Sequence, residues 1–185
     1  MVALGGYTPA TLLSAPKGER LLIDLKAQGR SVRLLKQRGE SVQHLLMKAL
    51  LWAALLPSYP LAECEIDVGH RYKPDVVELG SEGEPNCWGE CGAVATSKLA
   101  HLAAEFPRTH FIVSKWAHSD IRGYAETLRR ELALPPRAAA FEVTPLLMAP
   151  LPLLRVAAGY SDGEITLTRD DLQIETISEL GLYAT

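Results

Sequence analysis

Apolar residues return at Val42, Leu45, Leu46, Ala49, Leu50 and Ala53, the three-and-four spacing that lines one face of a helix. Gly39-Glu40-Ser41 precede this run and Pro57 follows it, so the pattern predicts a helix that begins near residue 42 and is stopped by proline. Its second half, 50–56, is apolar on all sides and is expected to be buried on most of them. Upstream, the short apolar runs 19–26 (ERLLIDLK) and 31–37 (SVRLLKQ) flank AQGR. Gly29 can take a turn conformation there, which predicts an N-terminal hairpin.

Downstream of the helix the period changes. Residues 61–68 alternate weakly, 75–79 form a second apolar run and 87–90 a short third, which predicts three strands. Residues 93–106 have helical propensity and end at Pro107. HFIVSKW, residues 110–116, has the β-branched and aromatic content of a buried strand, and 120–132 reads as a further helix closed off by Pro135-Pro136. The stretch AAGYSDGEITLT carries a C-terminal hairpin signal with Asp162-Gly163 as its turn. The order helix, three strands, helix, strand, helix indicates an α/β protein.

The composition is ordinary for a globular chain: 185 residues, 48% hydrophobic and 22% charged. One domain over 1–185 is expected, with its core at about 40–134. The longest apolar run, 49–56, is too short to span a bilayer, and the first residues lack the charged start and long apolar block of a secretory signal. With three cysteines, an odd number, a reducing compartment is expected, and hence a cytoplasmic protein with no membrane partner. The net charge of -3 gives no overall attraction to nucleic acid, but its distribution is uneven. Between Lys17 and Lys48 eight basic residues face three acidic ones, a local +5, whereas Glu63 to Glu90 holds eight acids against two bases, a local -6. Solvated surface charge accounts for such runs, and so does a protein that holds phosphates on one face and a divalent cation on another.

Two acids stand out for their order. Asp75 heads the run 75–79 and Glu90 closes the run 87–90. If the two runs are antiparallel neighbours, both carboxylates meet at one edge of the sheet, a setting for a hard cation such as Mg2+, to which the main-chain carbonyl of Cys91 adds a third oxygen. On the helix over 93–106, a step of about 100° per residue puts Lys98 in the same arc as Leu99, Leu102 and Phe106. From there it either reaches the acids or extends past the apolar stripe to solvent. Taken singly, each acid has an ordinary structural use: Pro-Asp at a turn, and Glu90 near the start of a helix. Their joint order with Lys98 favours a metal site.

Pro74-Asp75, then Glu90-Cys91-Gly92, then Lys98 resembles the PD-(D/E)XK nuclease pattern in the variant of the YaeQ family, where glycine takes the usual lysine position and the lysine moves into the following helix. The resemblance extends to the upstream hairpin, the Glu-bearing loop, the helix in SVRLLKQRGESVQHLLMKALLWAALL and the downstream Asp-Gly hairpin. It implies a restriction-endonuclease-like mixed sheet flanked by helices and a Mg2+- or Mn2+-dependent nuclease acting on DNA or RNA. Asp75 and Glu90, with Cys91, would hold the metal, and Lys98 would be the catalytic cation. Glu40 is the acid available for a first-helix ligand. Arg30, Arg33, Lys36 and Arg38 are the expected contacts to the nucleic-acid backbone. A different class remains open: a nuclease-like fold without turnover, serving as a binding or assembly module with a protein partner.

Sulfur offers a competing metal site. Cys64, Cys87, Cys91 and His70 make four zinc-type donors with irregular spacing, and cysteines packed as small hydrophobes are the alternative state. His44, His101, His110 and His118 show no ligand spacing and read as packing or surface residues. Trp116 either stacks on a base or packs in the core.

Overall fold

The structure, a computed structural model, describes residues 2–3, 21–116, 120–132, 137–146 and 164–167. Strand β2 (Leu21–Ala27) and strand β3 (Arg30–Leu35) pair antiparallel with Ala27 opposite Arg30. Gln28 and Gly29 between them both have positive φ, 51° and 77°, the two-residue turn whose twist matches that of the flanking strands. β2 also pairs in parallel with the short β1 (Val2–Ala3) and with β9 (Glu164–Leu167). β9 is the second arm of the expected C-terminal hairpin; Asp162-Gly163 and the first arm lie outside the described residues, as does Pro135-Pro136.

Helix α1 (Val42–Leu55) starts where Ser41 caps it, its hydroxyl oxygen accepting the His44 amide at 3.1 Å. A five-stranded mixed sheet follows in the order β4 (Glu63–Cys64), β5 (Val76–Leu79), β6 (Pro85–Cys91), β7 (His110–Trp116) and β8 (Phe141–Leu146). β4, β5 and β6 are antiparallel neighbours, whereas β6, β7 and β8 run parallel. Helix α2 (Thr96–Glu105) makes the β6-to-β7 crossover and helix α3 (Ile121–Glu131) lies between β7 and β8 in the chain.

The two-residue period of the strands divides the core. Cys87, Cys91 and Ile112 join Leu45, Leu51 and Trp52 of α1 and Leu25 and Leu34 of the small sheet in one buried cluster. Trp88, Phe111 and Val113 turn the other way, onto Leu99 and Leu102 of α2 and Ile121 and Leu128 of α3. Helices therefore cover both faces of the large sheet. At Gly89 a Cβ would come within 2.9 Å of Leu51 Cδ2, so the missing side chain is what lets α1 approach β6. Trp52 Nε1 donates to the Ala62 carbonyl at 2.9 Å and anchors the helix to the chain entering β4.

Several boundaries differ from the sequence expectation. The strand expected over 61–68 shrinks to Glu63–Cys64, because Glu65 adopts φ 56°, a conformation that breaks an extended run. The helix expected from 93 begins at Thr96, after an extended Ala95. β8 was not expected at all: Ala138-Ala139-Ala140 and Pro145 mask a strand that pairs with β7 from Phe111 opposite Phe141 to Trp116 opposite Leu146. No helix among the described residues is long and apolar enough to cross a membrane.

Candidate functional site

The register that sets Val76 opposite Gly89 brings Asp75 and Glu90 to the same end of the β5–β6 pair. The Asp75 amide donates to the Gly89 carbonyl at 3.1 Å. In return, Asp75 Oδ2 accepts the Cys91 amide at 2.7 Å. Asp75 Oδ1 faces His44 Nε2 at 3.5 Å, long for a hydrogen bond.

Glu90 has different partners. Its side chain points to the α2 face, where Oε1 accepts Trp88 Nε1–H at 2.7 Å and Lys98 Nζ lies 2.6 Å from Oε1 and 2.7 Å from Oε2. Lys98 thus turns onto the sheet rather than to open solvent. Burial holds the Glu90 carboxyl above the usual carboxylate range, opposed by the hydrogen bonds from Lys98 and Trp88; the charge of Asp75 adds to the rise. The two acids feel each other's charge, but their immediate neighbours are not shared.

A second set of charges lies on the α1 side. His44 and Lys48 lie four residues apart on one edge of α1, and Glu40, just ahead of the Ser41 cap, continues that edge and pairs with Lys48. Together with Gln37, Gly39, Ser41, Glu65 and Asp75 they line an open cleft of about 480 Å³. Lys48 is only 2% exposed and its ammonium donates to Glu65 and pairs with Glu40. Burial alone would lower its pKa, but the two carboxylates outweigh this and hold it raised. Glu40 is further fixed by the Gln37 amide, 2.9 Å from Oε2. Glu65 keeps its positive φ while its amide donates to the Asp75 carbonyl at 3.1 Å, so the chain entering this cleft is tied to the residue that carries the acid.

Of the residues singled out from the sequence, the structure brings Glu40 and Asp75 to one cleft and joins Glu90 to Lys98 on the α2 face of β6. The basic run fares differently. Lys36 is fully buried and Arg30 spends its guanidinium on the carbonyls of Pro60 and Ala62, which removes both from an exposed phosphate-binding face. Arg33 and Arg38 are exposed. The sulfur site does not form: Cys87 and Cys91 are buried in the α1-side core and Cys64 packs against it. Burial pushes the Cys64 and Cys87 thiols up to about 12 and Cys91 well above its ordinary value, the state of cysteines packed as small hydrophobes. Trp116 is a core residue. His44, Lys48 and Glu65 were missed; the available signal was a lysine placed within an apolar helix, four residues after a histidine and eight after a glutamate.

The sequence matches no family model and no curated protein. The fold does have solved counterparts. The YaeQ protein from Xanthomonas axonopodis pv. citri superposes with a TM-score of 0.52 at 16% identity, over 81% of this chain and 82% of that one. The YaeQ protein from Pseudomonas syringae does so with 0.54 at 12% identity, over 88% and 97%. The chain shares its fold with YaeQ proteins.

Could the acids hold the divalent ion that the PD-(D/E)XK resemblance implies? Asp75 has one oxygen engaged by an amide and the other only loosely by His44, and Glu90 retains a lone-pair direction on Oε2 beyond Lys98, while Oε1 is taken up by Trp88 and Lys98. Two carboxylates with spare lone pairs are the donor set Mg2+ accepts when waters and substrate oxygens complete its shell.

Two outcomes follow. Replacing Lys48 with Met leaves Glu40 and Glu65 without their shared cation and lowers stability by about 3–5 kcal/mol, read by urea denaturation; an unchanged midpoint would contradict the pairing. The His44 imidazole is raised by its contact with Asp75, against the effect of burial. Its contribution to stability is therefore full below about pH 6.5 and is lost as pH rises through the higher folded value. An NMR titration should place the His44 midpoint above 6.5 and bring it down in Asp75→Asn.

Proposed function

We propose that the protein is a YaeQ-like member of the PD-(D/E)XK superfamily that hydrolyses phosphodiester bonds of nucleic acid with Mg2+ or Mn2+. The observation that carries this reading is the register that sets Asp75 and Glu90 at one end of β5–β6, with the Cys91 amide fixing the first and Lys98 held on the second. Asp75, Glu90 and the main chain at Cys91 would hold the ion, which when bound acidifies a water and neutralises phosphate charge. The Cys91 amide orients Asp75 so that its freer oxygen faces the cleft. Lys98, 20% exposed at its side chain, supplies a positive charge beside Glu90 for a phosphate oxygen, the electrostatic part of phosphoryl chemistry. Arg33 and Arg38, both exposed, are the basic residues proposed for backbone contact. Cysteine usage supports a cytoplasmic location.

A second reading, a binding or assembly module without turnover, is favoured by one specific feature. Lys48 between Glu40 and Glu65, and Lys98 on Glu90, already neutralise most of the acids with internal cations.

Cleavage assays separate the two. On a panel of single- and double-stranded DNA and RNA, the hydrolytic reading predicts cutting with Mn2+ that EDTA abolishes and that Asp75→Ala and Glu90→Ala each reduce at least about 100-fold. Binding without cutting would leave the module. Cutting indifferent to both substitutions would overturn the site assignment.

A further inference from the structure

Behind the candidate site, the loop entering β5 closes over α2. His70 Nε2 lies 3.3 Å and His101 Nε2 3.0 Å from the same oxygen, Glu105 Oε2. All three donor atoms fall within 4.8 Å of one another, and no other such group of three occurs among the described residues. His101 and Glu105 are one turn apart on α2, while His70 comes from a loop 31 positions away in the chain. A tetrahedral ion with bonds of about 2.0–2.1 Å spaces its donors by roughly 3.3 Å, close to both measured separations. From these distances we propose that His70, His101 and Glu105 bind a divalent ion of the zinc type, through two imidazoles and one carboxylate with water completing the shell.

The surroundings suit a structural clip. The His70 ring meets Trp88 and Phe106 edge-on, with centroids at 5.8 and 5.7 Å, and stacks on His101 at 6.0 Å. Trp88 in turn holds Glu90, and the loop from Gly69 leads directly to Pro74-Asp75. An ion here pins the segment that delivers one candidate acid to the helix that carries Lys98. One bond opposes it: the Tyr72 amide donates to His70 Nδ1 at 3.1 Å, which leaves the proton of the neutral ring on Nε2. Coordination through Nε2 moves that proton to Nδ1, so the Tyr72 amide bond must open when metal enters. This gives the proposal a signature of its own, a shift of the Tyr72 amide resonance.

The test is a titration of the full chain with Zn2+ by calorimetry, and with Co2+ by visible absorption, alongside His101→Ala and Glu105→Gln. Both substitutions fall on exposed helix positions, so folding survives them. One equivalent of Zn2+ is expected, with a rise in Tm of about 5–10 °C when free metal is at 100 times Kd. Affinity should fall at least about 10-fold in each variant and the Tyr72 amide should move. Asp75→Ala and Glu90→Ala should leave Zn2+ binding intact, which keeps this site distinct from the proposed hydrolytic one. No binding, or binding that both α2 variants retain, would overturn the assignment.

Discussion

The register between β5 and β6 is the constraint on which the rest depends. Once Val76 faces Gly89, the two acids reach the same end of the sheet, and the Cys91 amide is free to hold Asp75 because the strand pairing ends there. The same register is fixed from the core side. Gly89 lets Leu51 of α1 press against β6, and a slip of one residue would put Trp88 into that contact and turn Glu90 toward the wrong layer. Packing and chemistry thus rest on one pairing.

Buried charge follows the same logic on both faces. A carboxylate or ammonium taken out of water is costly unless paired, and around the site the protein pairs them locally: Lys48 with Glu40 and Glu65, Lys98 with Glu90. The cleft on the α1 side keeps Asp75 the least committed of these acids. That asymmetry makes Asp75 the group most ready to accept an outside cation, whereas Glu90 has to share with Lys98.

Much of this was legible in the amino-acid order. The 3.6-residue spacing from Val42 onward and the turn at Gln28-Gly29 are local signals, and the elements they predict are present. So is the mixed sheet flanked by helices. The segments linking Asp75, Glu90 and Lys98 are short, and the fold brings the two acids to one end of the β5–β6 pair and Lys98 onto Glu90. What escaped notice was either non-local or locally disguised. β8 hides behind alanines and a proline and is stabilised by pairing with β7. Lys36 looked like a surface base, yet tertiary packing buries it. Glu65 breaks its strand through a backbone angle that no pattern of side chains reveals, and His70 meets His101 only through the loop that folds over α2.

The central proposal is that Asp75 and Glu90, each held by its own neighbours, both lend oxygens to one hard cation. Binding of Mn2+ to the full chain, followed by electron paramagnetic resonance with Asp75→Asn and Glu90→Gln beside the wild type, tests it without relying on any substrate. A single Mn2+ lost in both variants is the expected result. Mn2+ binding that persists in both, or that is absent from the wild type, would contradict it.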